Sequence, residues 1–268
     1  MAISRDPLSR RDFNLLLALA TPTLALTDAL AEPFGRAVAA APSARGIREL
    51  RLLATDLPAQ RDFYSRKLGL PVVEESGERV TIQAGGTRLS FEKARAVHGT
   101  PMYHFAFNIP ENKLELARRW LADRTPVAAN QAGREVFHFP TWNAHSIYFY
   151  DAVGNLGELI ARHNLPNATA GPFSEREILY ASEIGLVVDD VPGEVAALRS
   201  GLGLEVYRPG SPELVPVGDE HQLLIVVPRG RPWMGRTHAS VYPTAAAFAG
   251  APPARYTVGG FPYELSLT

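Results

Sequence analysis

The segment Glu49-Leu-Arg-Leu-Leu-Ala-Thr-Asp56-Leu-Pro58 returns as Glu183-Ile-Gly-Leu-Val-Val-Asp-Asp190-Val-Pro192, 134 residues later (183 less 49). The same offset carries Leu68-Gly69-Leu70 onto Leu202-Gly203-Leu204 without a gap. Such a match marks an internal duplication. Each copy must then fold as the same supersecondary unit and bury its apolar face against another copy. An alternating apolar stretch predicts a strand, and Asp followed closely by Pro signals a helix start. Phe63, Tyr64, Lys67 and Leu68 have helical spacing, and Gly69 suits a left-handed cap. Residues 71–73, 79–83 and 87–92 predict three more strands, the last two joined through Gly85-Gly86, a hairpin signal. The unit is therefore βαβββ.

A further copy lies between these two. His104-Phe-Ala-Phe-Asn-Ile-Pro-Glu111 opens it with the same strand, and Leu114, Leu116, Ala117, Trp120 and Leu121 follow on a helix. Strands are expected over 135–139, 146–150 and 156–161, with Gly154-Asn155 turning between the last two. From Trp233 onward one strand stands out, at 262–266, so the C-terminal part reads as an incomplete fourth copy. The expected fold class is α+β, built of repeated βαβββ units.

The first residues read differently. Ser9-Arg10-Arg11-Asp12-Phe13 resembles the twin-arginine export signal, an apolar run follows from Leu15 to about Leu26, and a small-residue stretch ends at Ala31. Residues 1–31 are therefore expected to be a twin-arginine-type signal peptide and 32–45 a flexible lead-in, which implies a periplasmic or secreted protein. The apolar run is shorter than the about 20 residues of a spanning helix, so no stable membrane span is expected. Lys and Arg number 27 against 28 Asp and Glu, which leaves no basic excess for nucleic acid. Cysteine is absent, so disulfides, thiolate metal sites and a thiol nucleophile are excluded. Phosphate-binding glycine loops, a Gly-x-Ser-x-Gly elbow and a His-Glu-x-x-His helix are also missing.

Phe63-Tyr64, Leu68-Gly69-Leu70 and the stretch Tyr148-Phe-Tyr-Asp151-Ala-Val-Gly154-Asn155-Leu-Gly-Glu158 together resemble the vicinal oxygen chelate superfamily, which includes glyoxalase I, extradiol dioxygenases and bleomycin-resistance proteins. The resemblance implies that two units pair into a curved mixed-sheet cup around a divalent metal. Units one and two, over 46–165, are expected to form that cup, with the third unit and the incomplete fourth over 176–268. Family ligands sit on the first and last strands of the paired units. That implies Glu49 and His104 on first strands and Glu158 on a last strand; the remaining last-strand place falls near Ser90, a poor ligand. Oxygen and imidazole donors with open positions suit Fe, Mn, Ni or Zn.

Each residue has a second reading. Glu49 reads equally as a surface carboxylate on an edge strand, and Glu183 holds the same place in the third unit. His104 reads as a packed core histidine, and Tyr148 as a strand aromatic or a substrate-contacting hydroxyl. His138 and His145, with Trp142 and Asn143, read as a loop at the mouth of the cup that supplies a general base, or as a Trp-anchored connection with solvated histidines. Pro228-Arg-Gly-Arg-Pro-Trp233 is basic and aromatic but short, and reads as a turn. Two functions remain open: a metal-dependent lyase, isomerase or ring-cleaving dioxygenase acting on a small substrate with vicinal oxygens, and a metal-free module that sequesters a small ligand. The expected partner is a small-molecule substrate, and a homodimer is a compatible assembly.

Overall fold

A computed structural model describes residues 45–234, 237–250 and 252–268. The expected signal peptide and nearly all of the expected lead-in lie outside the described residues.

The first module runs β1 (Ile47–Ala54), α1 (Leu57–Asp62), β2 (Val72–Glu75), β3 (Arg79–Ala84) and β4 (Thr87–Lys93). The second runs β5 (His104–Ile109), α2 (Leu114–Ala122), a short β6 (Val127–Ala128), β7 (Val136–Phe139), β8 (Ala144–Tyr150) and β9 (Leu156–Arg162). The third contains β10 (Tyr180–Val188), α3 (Val191–Leu202), β11 (Val215–Asp219) and β12 (Gln222–Pro228). A two-stranded ribbon of β13 (Pro232–Trp233) and β14 (Thr237–His238) leads to β15 (Thr244–Phe248), β16 (Ala254–Thr257) and β17 (Tyr263–Leu267). The fourth module thus keeps more strands than the sequence displays, because β15 is mostly alanine and β16 is only four residues long.

The duplicated motifs fold alike. Asp56 and Asp190 are extended N-caps whose carboxylates accept from the amides of Ala59 and Gly193, with Pro in the first turn. Gly69 and Gly203 both take positive φ at the exits. Phe63–Lys67 continues α1 as a π-helical turn that buries Phe63 and Tyr64 against the sheet.

Module pairing departs from the expectation. The first strand β5 of module two pairs antiparallel with β10 of module three, and β1 of module one pairs antiparallel with β15 of module four. Each first strand also pairs in parallel with its own last strand, β1 with β4, β5 with β9 and β10 with β12. The cups are therefore formed by modules two and three and by modules one and four; modules one and two do not share one. The two halves meet at a single antiparallel bridge, Ile47 to Ala181, within one curved sheet. Thr87 Oγ1 donates to the Ile47 carbonyl and accepts from the Ala181 amide at this seam. Modules one and two touch elsewhere: the buried Asp151 carboxylate accepts from Gln60, Tyr64 and Asn155, which ties the β8–β9 turn to the first helix. Asp151 and Asn155 of the sequence motif are thus structural fasteners.

Alternation along the strands sorts the two sheet faces. Phe105, Phe107, Ile147, Phe149, Leu159, Ile184 and Leu186 enter the main core with the helices. Tyr148, Leu156, Val187, Leu223 and Ile225 form a second apolar cluster on the concave face of the cup between modules two and three.

Candidate metal centre

Three side chains able to bind a metal converge on that concave face: His104 at the start of β5, Glu158 in β9 and Glu183 in β10. They are 6%, 2% and 2% exposed. One ligand atom from each lies within 4.8 Å of the others, and His104 Nε2 is 3.5 Å from Glu158 Oε2 and 4.0 Å from Glu183 Oε2. The backbone produces this convergence. In the parallel pair β5–β9, Glu158 sits beside Ala106, two residues along from His104; in the antiparallel pair β5–β10, Glu183 sits beside the same Ala106.

The fourth symmetric place is apolar. The register of β10 with β12 sets Ile225 beside Gly185, where β9 sets Glu158 beside Ala106. The chain thus offers three donors.

Burial makes this cluster costly unless each charge is answered. His104 Nδ1 donates to the Leu156 carbonyl at 3.1 Å, which fixes the tautomer and turns the Nε2 lone pair toward the carboxylates. Burial, and the positive charge of Arg231, lower its pKa to about 4, so the imidazole is neutral near pH 7. Arg162, fully buried at the end of β9, donates through Nη2 to Glu183 Oε1 and through Nε to Asn108 Oδ1 at 3.1 Å. Glu183 Oε1 is thereby occupied while Oε2 faces His104. Burial raises the Glu183 carboxyl and Arg162 counters it. Burial and the neighbouring Glu183 push Glu158 up to about 8, against the pull of Arg162.

The donor chemistry fits a divalent cation. One neutral imidazole and two carboxylates match Fe, Mn, Ni or Zn, and metal bonds of about 2.0–2.3 Å need only a small contraction of the observed separations. A +2 ion would also offset the two carboxylates that otherwise repel each other.

Glu49 lies elsewhere. It is exposed on β1, beside Ala247 of β15, in the cup of modules one and four. That cup presents Arg51 and Glu264, which pair at 3.0 Å, and alanines in β15, so among the described residues it gathers no donor set like that of His104. The place beside His104 and Glu158 expected for Glu49 is occupied by Glu183. Their surroundings differ in the sequence itself: Glu49 shares its strand face with Arg51, whereas Glu183 shares its face with Gly185 and Val187.

Tyr148 lines the cup; it stands opposite Glu158 in the β8–β9 pair, and its ring centroid is 6.2 Å from that of His104. His138 and His145 are not in the cup. They sit opposite one another on β7 and β8, on the sheet face that Tyr148 does not share, with rings stacked at 4.3 Å. His145 continues to His163 at 2.9 Å and from there to Glu111 at 3.0 Å, away from the cluster. The general-base role expected for them fails because strand alternation sends residues 145 and 148 to opposite faces. Trp142 does line the cup, over Arg162 at 5.6 Å. Trp233, from the segment read as a turn, packs 4.8 Å from the His104 ring.

Residues 46–163 match the family model of the Glyoxalase/Bleomycin resistance protein/Dioxygenase superfamily. Among solved structures, a provisionally assigned dioxygenase from Bacillus subtilis subsp. subtilis strain 168 aligns with TM-score 0.52 and 18% identity, over 77% of this chain and 71% of that one. The V278E mutant of glyoxalase I from Zea mays aligns with TM-score 0.51 and 14% identity, over 83% and 92%. At these identities the likeness concerns the fold. No curated protein matches the chain.

Proposed function

We propose that this chain, which carries a domain of the glyoxalase/bleomycin resistance protein/dioxygenase superfamily over residues 46–163, is a divalent-metal-dependent enzyme acting in the cup between modules two and three. The convergence of buried His104, Glu158 and Glu183 carries the reading. A bound metal would supply Lewis acidity toward two neighbouring oxygens of a small substrate, serving either proton transfer, as in a lyase or isomerase, or dioxygen-dependent ring cleavage. The protein's own groups prepare that site. Leu156 orients His104, Arg162 holds Glu183, Tyr148 stands across from Glu158, and Ile225 leaves one side of the cluster free of a fourth donor. Phe137, Phe139, Trp142 and Trp233 wall the cavity beside the cluster.

Elemental analysis of purified protein tests this. About one divalent metal per chain is expected, lost in His104→Ala and Glu183→Gln and retained in Glu49→Gln. A second reading, a metal-free module that sequesters a small ligand, draws on the internal neutralisation of Glu183 by Arg162. Wild-type protein that retains no metal after loading, with ligand affinity indifferent to chelator, would establish that reading instead.

Export by the twin-arginine route belongs to the same proposal, and the order of Arg10-Arg11, apolar run and Ala31 supports it. Arg10→Lys combined with Arg11→Lys should retain the full-length chain inside the cell; undiminished export would overturn it. Among the described residues no helix is long and apolar enough to cross a membrane.

A further inference from the structure

The cup that holds His104, Glu158 and Glu183 opens into a cavity of about 240 Å³, with Phe137, Phe139, Trp142 and Trp233 among its walls. Arg231, in the segment between β12 and β13, lines the same cavity. Its guanidinium lies over the Trp233 ring at 5.1 Å, and Nη1 donates to the Pro232 carbonyl at 3.3 Å. Its Nε is buried and has no hydrogen-bond partner. Among the described residues no carboxylate comes within 4.0 Å of it, although Glu213 exerts a weaker attraction from farther away. Arg162, the other arginine at the cup, is instead paired with Glu183.

A half-buried cation with a free N–H against aromatic walls is costly unless something anionic completes it. The charges of the cup point the same way. Glu158 and Glu183 would balance a divalent metal, and Arg162 and Arg231 then leave two positive charges uncompensated. The cavity is slightly smaller than the 300–1,000 Å³ usual for ligand pockets, which limits the occupant to about one ring with its substituents.

We infer that the substrate is a monocyclic aromatic carboxylate whose ring stacks among Phe137, Trp142 and Trp233 and whose carboxylate pairs with Arg231, leaving two neighbouring oxygens toward His104, Glu158 and Glu183. The inference rests on the metal-enzyme reading for those oxygens and on Arg231 alone for the carboxylate. Arg231 is thus a specificity-determining residue, because a planar guanidinium takes a carboxylate through two parallel hydrogen bonds and a neutral amide cannot replace it.

The test is titration calorimetry with 3,4-dihydroxybenzoate and 3,4-dihydroxybenzamide, a pair of like shape that differs in charge. Each is titrated into cobalt-loaded and into chelator-treated protein. Wild type should bind the acid about tenfold or more tightly than the amide. In Arg231→Gln the preference should fall below about threefold with cobalt content unchanged, and Arg231→Lys should recover part of it. Equal affinity of wild type for acid and amide, no binding of either, or an undiminished preference in folded Arg231→Gln would overturn the inference. The two readings separate cleanly. An Arg231-dependent preference that persists without metal upholds the carboxylate site while removing support for the metal. Cobalt-dependent binding of both compounds without preference does the reverse.

Discussion

Replacing Arg162 by Leu should be among the most damaging substitutions in the second cup. The guanidinium is fully buried, donates to Glu183 and Asn108, and faces a carboxylate that is itself 2% exposed. Removing it strands Glu183, and breaking one side of a buried pair costs about 3–5 kcal/mol. For a folded region of this size each kcal/mol lowers the melting temperature by about 2–4 °C, so a fall of roughly 6–20 °C is expected. The loss should be smaller at pH 5 than at pH 7. Burial already raises the Glu183 carboxyl, and without Arg162 it rises further, so a proton can replace the lost cation. Divalent metal should restore part of the stability by answering the same charge. The decisive comparison is a double-mutant cycle with Glu183→Leu, followed by urea denaturation of chelator-treated protein. The double variant should be no less stable than Arg162→Leu, because an apolar pair replaces an orphaned charge. A single variant that loses less than about 1 kcal/mol, or a double variant whose loss equals the sum of both singles, would refute the charge-pair account.

Two further outcomes follow from the same geometry. The metal-free protein should lose about 2 kcal/mol of stability between pH 6.5 and 8. His104, lowered to about 4, contributes stability that is complete above its unfolded value and lost as pH falls, whereas Glu158, raised to about 8, contributes stability that is complete in acid and lost as pH rises. The two oppose each other between about pH 4.5 and 6.5, and Glu158 acts with the raised Glu183 above that. Denaturant midpoints across this range check it, and a flat or rising curve would contradict it. Gly85→Ala should destabilise the seam between the two halves by about 1–3 kcal/mol, since Gly85 has φ +54° and an added Cβ would lie 2.1 Å from the Leu179 carbonyl oxygen; an unchanged melting temperature would show that the seam can relax.

The duplication made the module legible, down to the capping of Asp56 and Asp190, because those signals are local: a cap, a proline and a glycine lie within one turn of the backbone they shape. Module pairing was not legible from the same signals, since any first strand can pair antiparallel with any other and the repeat itself is silent on which does. The choice is written in the residues between the periodic ones. Glu49 shares its face with Arg51 and tolerates water, so β1 can border a polar cup; Glu183 shares its face with Gly185 and Val187 and needs a partner that answers a buried carboxylate. Module two supplies that partner through Arg162 at the end of its last strand. First and last strands do bring His104, Glu158 and Glu183 together, and Glu49 stands apart from them because module one pairs with module four rather than with its neighbour in the chain. The histidines misled for a related reason: His138 and His145 are close to Tyr148 in sequence, but an odd spacing from 145 to 148 puts them on the opposite sheet face. Strand parity and the charge of the shared face, read together, put Glu183 rather than Glu49, and Tyr148 rather than His145, in the cup with His104.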